Sequence, residues 1–191
     1  MQRSSDMDNE AARNGILDAA EELFYGRGIQ AVGMDAVRSA SGVTLRRLYQ
    51  LFPSKDALVE AYLLRRDARW RRSLAAYVDG VDGPPSDRVL AVFDWLHGWF
   101  EEPGFRGCAF INSFGELGAG SPEVAAAARG HKEAFRRYID DLVRDAGAPA
   151  ATGAHFMLLA EGAITTAAVT GSPRPAREAR EAAERLLSAS A

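Results

Sequence analysis

The sequence predicts an all-α fold. An N-terminal three-helix unit built around a helix-turn-helix is joined by a long helix to a C-terminal helical domain. Three observations carry this expectation. Apolar residues recur at three- and four-residue spacing in segment after segment. Cap and stop residues bracket those segments. No stretch alternates apolar and polar residues as a half-buried strand does, and no internal repeat is present.

Taken in order, residues 1–8 read as a disordered lead. The first helix spans about 9–25, with Ile16, Leu17, Ala20, Leu23 and Phe24 in one apolar stripe, and Gly26-Arg27-Gly28 stops it. A second helix starts after Gly33 (a weaker cap than Ser or Thr) and carries a small apolar face of Ala36, Val37 and Ala40. Gly42 reverses the chain, which calls for a positive φ that glycine adopts at little cost. Thr44 caps the third helix, from which Val43 and Leu48 pack back on the second. Phe52-Pro53 ends that helix, because proline disfavours helical geometry in the residue before it. Ser54 caps a fourth helix, with Asp56 in its first turn beside the positive end of the dipole. That helix reaches to about Val78 and bridges two domains, expected over 9–53 and 54–190. After the turn at 79–85 come helices over about 86–102, capped by Ser86, then 108–118, 122–146, 150–170 and 175–189. Ser121 as cap with Pro122 at the first helical position is a strong start signal for the third of these.

Two short helices crossed at a glycine turn present one short helix to the DNA major groove. On the third helix, Arg46, Arg47, Tyr49 and Gln50 are left outward beside Leu45. Arginine can grip guanine O6/N7 and glutamine adenine N6/N7. Thr44, at the helix N-terminus, can donate to phosphate. The plain alternative is a solvated basic helix. Charge distribution favours the DNA reading: net charge is −3, yet residues 27–72 hold ten Lys/Arg against four acids, and from 81 onward eleven basic residues face fifteen acidic ones. The run Arg65-Arg66-Asp67-Ala68-Arg69-Trp70-Arg71-Arg72 winds around its helix, so most of it is expected to be a solvated face.

The run Gly42-Val43-Thr44 … Leu48-Tyr49 … Phe52-Pro53-Ser54-Lys55-Asp56-Ala57-Leu58 closely resembles the DNA-binding domain of the TetR/AcrR family of repressors. So does the upstream Ile16-Leu17-Asp18-Ala19-Ala20-Glu21-Glu22-Leu23-Phe24 … Gly28. The resemblance covers roughly residues 10–60. Beyond residue 80 it is weaker, although Arg106-Gly107-Cys108-Ala109-Phe110-Ile111-Asn112 resembles a segment of one branch. It implies an all-helical homodimer that binds an operator in double-stranded DNA, with a small-molecule pocket in the C-terminal domain. It also implies that Tyr49 and Lys55 contact phosphate. Where the family often has Lys-Gly-Thr at 45–47, this chain has Leu45-Arg46-Arg47, and where Thr often stands at 33 it has Gly33. The first change alters the base-reading surface.

In the C-terminal half Phe93, Trp95, Trp99, Phe100, Phe105, Phe110 and Phe114 crowd into some twenty residues. They read either as the wall of a pocket for a small apolar or aromatic effector or as ordinary core. Phe156 is a further candidate for the wall. Asn112 and Glu116 lie i, i+4, roughly opposite the Phe110/Phe114/Leu117 stripe, and point to solvent or to a ligand. Glu161 lies in a helix that is apolar all round, so its carboxylate must serve a ligand, a buried network or a dimer interface. The helices over 150–170 and 175–189 are expected to build the dimer. The first brings small residues (Gly162, Ala163, Thr166, Ala167, Ala168), and the second an exposed stripe of Ala176, Ala179, Ala183, Leu186 and Leu187.

The remaining composition narrows the function classes. The chain has 191 residues, 47% of them hydrophobic, and a single cysteine, Cys108, which excludes an internal disulfide and suits a reducing cytoplasm. No signal peptide or 18-residue apolar span is read; the nearest, over 146–170, is broken by Glu161. His97, His131 and His155 share no metal-ligand spacing, and no catalytic or cofactor-binding motif is present, so neither metal, cofactor nor enzyme is expected. Two readings remain in order: a ligand-responsive DNA-binding repressor, and an all-α carrier or enzyme in which the helix-turn-helix is coincidental. Within the first, a DNA binder without an effector, or an activator, is a softer alternative.

Overall fold

The computed structural model describes residues 2–189, with side chains from Met7 onward. Among these residues the secondary structure is helical, with no strand: α1 Gln2–Arg27, α2 Met34–Ser41, α3 Leu45–Leu51, α4 Lys55–Asp79, α5 Pro85–Phe100, α6 Ala109–Leu117, α7 Pro122–Asp145, α8 Ala150–Thr170 and α9 Arg174–Ser188. Helix α1 begins at Gln2, so the segment expected to be a disordered lead is helical as far as it is described; Met1 lies outside the described residues. No Gly or Pro precedes Gly15, so nothing stops α1 from propagating backward. Ser190, the expected domain end, also lies outside them. The start of α5 corrects the Ser86 expectation: Pro84 is the N-cap, Pro85 opens the helix, and no side chain caps it. Proline's fixed φ suits the first helical position as well as a hydroxyl cap would.

The chain packs into two compact units, and α4 contributes to both. The first runs to Arg66 and includes Ala109–Ala128; the second is Asp67–Cys108 with the chain from Arg129 onward.

In the first unit α1 packs on α2 and α2 on α3. Ile16, Ala20, Phe24, Val37, Leu48, Phe52, Leu58 and Tyr62 form its core, with Phe24 and Tyr62 edge to face at 5.7 Å. At the border of that core the buried carboxylate of Glu21 takes Arg66 at 2.7 Å and Arg65 at 3.2 Å, and Arg65 also reaches Asp18 at 2.8 Å. The Arg66 guanidinium lies 3.9 Å over the Tyr25 ring. The expectation of a solvated basic run therefore fails at Arg65 and Arg66, whose charges clamp α4 to α1. Removing one partner of such a buried pair typically costs about 3–5 kcal/mol.

In the second unit α9 packs on α8 and α5. Ala176, Ala179 and Ala183 are buried there, so the α9 stripe expected to lie exposed faces its own chain. The face left open belongs to α8: Leu158 is 72% exposed and Val169 83%, with Gly162, Thr165 and Thr166 exposed between them.

Trp70 of α4 fills the centre of this unit. Its ring meets Trp95, Phe135 and His131 at 5.0 Å and Trp99 at 5.8 Å, all edge to face. His131 is buried beside it, and its Nδ1 lies 2.7 Å from a carboxylate oxygen of Asp67. A carboxylate only accepts, so Nδ1 carries the proton. Burial pushes the imidazole down to about 4, with Lys132 and Arg71 adding to that against the opposing pull of Asp67. Burial raises Asp67, but hydrogen bonds from Arg71 and His131 outweigh it and leave the carboxyl below its ordinary value.

The neutral His131 makes folding depend on pH. Above about 6.5 the ring is neutral in both the folded and unfolded chain and folding carries no protonation cost. As pH falls from about 6.5 to about 4 the unfolded chain takes up a proton that the folded chain refuses, so stability drops. A shift of that size amounts to about 3 kcal/mol. Urea unfolding between pH 7.5 and 4.5 should show that loss in the wild type and a flatter profile in His131→Gln. Parallel profiles would contradict the burial of a neutral ring.

Candidate nucleic-acid interface

The reading surface is built from local rules. Gly33 opens α2 without a side-chain cap, and Asp35 in the first turn ties Arg38 at 2.7 Å. Gly42 sits at φ +70°, and its N–H donates to the Arg38 carbonyl at 3.1 Å, which closes α2 in a left-handed cap. The Thr44 hydroxyl oxygen accepts the Arg47 N–H at 3.2 Å and starts α3. After the seven residues of α3, Phe52 is extended, at φ −137° and ψ 96°, as its place before Pro53 requires. The Ser54 hydroxyl accepts the Ala57 N–H at 3.1 Å and starts α4. Phe52 is buried under Arg13, whose guanidinium lies 4.5 Å from the ring centre.

This seating decides which side chains of α3 are free. Leu48 is fully buried. Thr44, Leu45, Arg46, Tyr49 and Gln50 are exposed, while Arg47 and Lys55 are half-buried. The Arg47 guanidinium donates to the side-chain oxygen of Asn9 in α1, so it is partly spent inside the unit. The Lys55 ammonium donates to the Ile29 carbonyl at 2.6 Å, which fixes its charge beside the α1–α2 loop. Neither partner was signalled in the sequence, because each lies more than twenty residues away.

The eight residues expected at an effector site fall in both units. In the second, Trp95 stacks on Trp99 at 5.6 Å within the Trp70 cluster, and the Trp95 indole N–H donates to Ser73 at 3.3 Å. Phe156 is buried against Phe93 at 6.0 Å. Glu161 takes the Lys132 ammonium at 2.7 Å on both oxygens, and the same ammonium lies 3.3 Å from the Cys108 sulfur. In the first unit α6 buries Phe110 and Ser113 and leaves Asn112 exposed. Phe114 is 53% exposed, which breaks the expected Phe110/Phe114 stripe. The Glu116 carboxylate accepts the Gln30 backbone N–H at 2.9 Å, and the Gln30 side chain returns a bond to the Glu116 carbonyl at 2.5 Å. Gly28, at φ +88°, is needed there twice over: a Cβ would strain the backbone and lie 3.1 Å from the Glu116 carboxylate.

A cleft of about 290 Å³ opens elsewhere in the second unit, lined by Trp70, Leu74, Phe135 and Tyr138 with Arg71, Arg137 and Asp141 at its polar edge. None of the eight lines it. The Tyr138 hydroxyl is buried with no hydrogen-bond partner among the described residues, and burial pushes it up to about 12. Among the described residues no cluster of His, Cys, Asp and Glu could hold a metal ion, and no helix is long and apolar enough to cross a membrane.

Comparison with known proteins agrees with this geometry. A family model described as bacterial regulatory proteins, tetR family, matches residues 16–62, and a tetracyclin repressor-like C-terminal domain matches residues 85–183. The HTH-type transcriptional regulator Rv1255c of Mycobacterium tuberculosis is 37% identical over 81 residues, 42% of this chain and 40% of that protein. The HTH-type transcriptional activator FasR of Mycolicibacterium smegmatis is 31% identical over 150 residues, 76% of this chain and 65% of that one. Each match thus spans less than two thirds of the relative. The crystal structure of SCO4454, a TetR-family transcriptional regulator from Streptomyces coelicolor, superposes with a TM-score of 0.85 at 29% identity, covering 95% of this chain and 96% of that one.

Proposed function

The chain belongs to the TetR family of DNA-binding transcriptional regulators and is not an enzyme, and on that premise we propose that it is a homodimeric repressor released from a palindromic operator by a small apolar effector. One observation carries the reading. The face of α3 that packing leaves open holds Arg46, Gln50, Leu45 and Tyr49, a set suited to base edges and phosphates. The segment 9–53 is assigned to DNA and 54–190 to effector binding and dimerisation. Arg46 and Gln50 read bases. Lys55, Tyr49, Arg47 and the Thr44 cap position the helix on the backbone. Two copies place their α3 helices about 34 Å apart, one turn of the duplex.

The dimer reading rests on the open face of α8, where Leu158 and Val169 flank small residues that allow close helix approach. For the effector, the supporting feature is the cleft beside Trp70, with its apolar walls and an unsatisfied Tyr138 hydroxyl. Trp95 and Trp99 stand behind Trp70 and shape that wall indirectly. Phe110, Asn112, Phe114, Glu116, Phe156 and Glu161 remain candidates for a ligand-occupied state, in which Glu116 and Glu161 would have to exchange their present partners. Helix α4 belongs to both units, so a tilt of α4 would change the spacing of the two α3 helices. The effector must favour the splayed state; a hundredfold preference amounts to about 2.7 kcal/mol. FasR is an activator, which supports activation as a second reading; a reporter under the selected operator separates the two.

Three outcomes test these assignments. Arg46→Ala and Gln50→Ala should change base preference at defined operator positions by about 1–3 kcal/mol, whereas Lys55→Ala should weaken all sequences alike. The opposite pattern, read by competition with single-base operator variants, would sink the assignment of roles. Val169→Arg should convert a dimer to a monomer in sedimentation at micromolar concentration, and a wild-type chain that is already monomeric would rule out the α8 interface. A compound that releases the operator should bind Tyr138→Phe about fivefold more weakly, the worth of one hydrogen bond. Unchanged affinity would place the effector outside the cleft.

A further inference from the structure

The outer face of α3 is made of two neighbouring ridges. Arg46 and Gln50, one turn apart, form the polar one. Leu45 and Tyr49, also one turn apart, form the other, and it is apolar. Leu45 is 47% exposed and Tyr49 45%. Leu45 is the first residue of the helix, the end that a helix-turn-helix turns to base edges. Leu48 and Val37 are fully buried, whereas about half of the Leu45 side chain is left outside the packed face. A leucine has no donor or acceptor, so it cannot read a hydrogen-bonding edge. One group in the major groove is complementary to it, the C5-methyl of thymine.

We propose that Leu45 sets operator specificity by packing on a thymine methyl, with the Tyr49 ring closing the same apolar ridge, so that each half-site carries an obligatory thymine next to the base read by Arg46. This rests on the operator-binding reading above. The apolar ridge excludes water from one side of the neighbouring contact, and it disfavours cytosine because cytosine lacks the C5-methyl that the leucine covers. The family pattern often has a lysine at this position, which can reach a phosphate or a guanine edge, whereas the leucine of this chain can do neither.

The test uses the full chain and needs no knowledge of its genomic targets. Duplexes are selected from a random library, and each thymine of the enriched sequence is replaced in turn by deoxyuridine, which deletes only the methyl. Burial of one methyl predicts about a fourfold loss at one position per half-site and about sixteenfold when both half-sites are changed. Leu45→Ala, which alters an exposed side chain, should bind the thymine and uridine duplexes equally and keep the wild-type melting temperature. Deoxyuridine tolerated at every thymine, an enriched sequence without a fixed thymine, or undiminished methyl discrimination in Leu45→Ala would each overturn the role of Leu45 while leaving operator binding intact. Failure to enrich any sequence would instead overturn the operator reading, and this inference with it.

Discussion

A helix of seven residues has no stability of its own, since nucleation of the first turn outweighs the few hydrogen bonds it can gain. The reading surface therefore depends on the burial of Leu48. That side chain is fully buried, as is Val37 of α2, and its burial fixes the rotation of α3 about its axis. Once Leu48 points inward, Arg46 and Gln50 have to point outward, while Leu45 and Tyr49 lie on the flank between the two faces and are exposed over about half of their surface. Truncation at such a site costs about 2–5 kcal/mol, a large fraction of the stability of a small domain. The Thr44 cap, the left-handed Gly42 and the extended Phe52 then set where α3 begins and ends.

The platform under α3 is electrostatic as well as apolar. Glu21 holds two arginines of α4 against α1, Lys55 holds the loop carbonyl of Ile29, and Arg47 holds Asn9. The last two contacts occupy positive charge that a reading of sequence alone assigns to DNA, and the first occupies charge that it assigns to a solvated face. What remains free on the outer face is a small set, and its mixture of one arginine, one glutamine, one tyrosine and one leucine suits base discrimination better than general phosphate attraction. The pair formed by Glu116 and Gln30 adds α6 to the same platform, so that a helix distant in sequence bears on the loop leading into α2.

Much of this was legible in the sequence, for reasons that are local. Thr44, Ser54 and the Ser121-Pro122 pair act within three or four residues of themselves, and the helices they open start where expected. Gly42 must turn left-handed, and it does. The misses share the opposite property. Trp70 and Phe135 come from outside the aromatic-rich stretch, and Trp70 packs against both Trp95 and Phe135, so counting local aromatics did not reveal the cleft that these two residues line. The α9 stripe announced an apolar face without saying what covers it, and α5 and α8 do. Glu161 demanded a partner, and Lys132 supplied it from 29 residues away. Periodicity specifies a face, while its partner is a property of the whole packing.

The central claim is that the open face of α3 engages duplex DNA, and the salt dependence of binding tests it most directly. Fluorescence anisotropy with a duplex enriched by the full chain, followed from 50 to 200 mM salt, should show affinity falling by about 10³-fold or more, as expected when a dimer neutralises roughly six or more phosphates. Affinity that stays flat over that range, or the absence of duplex binding at low salt, would contradict the account.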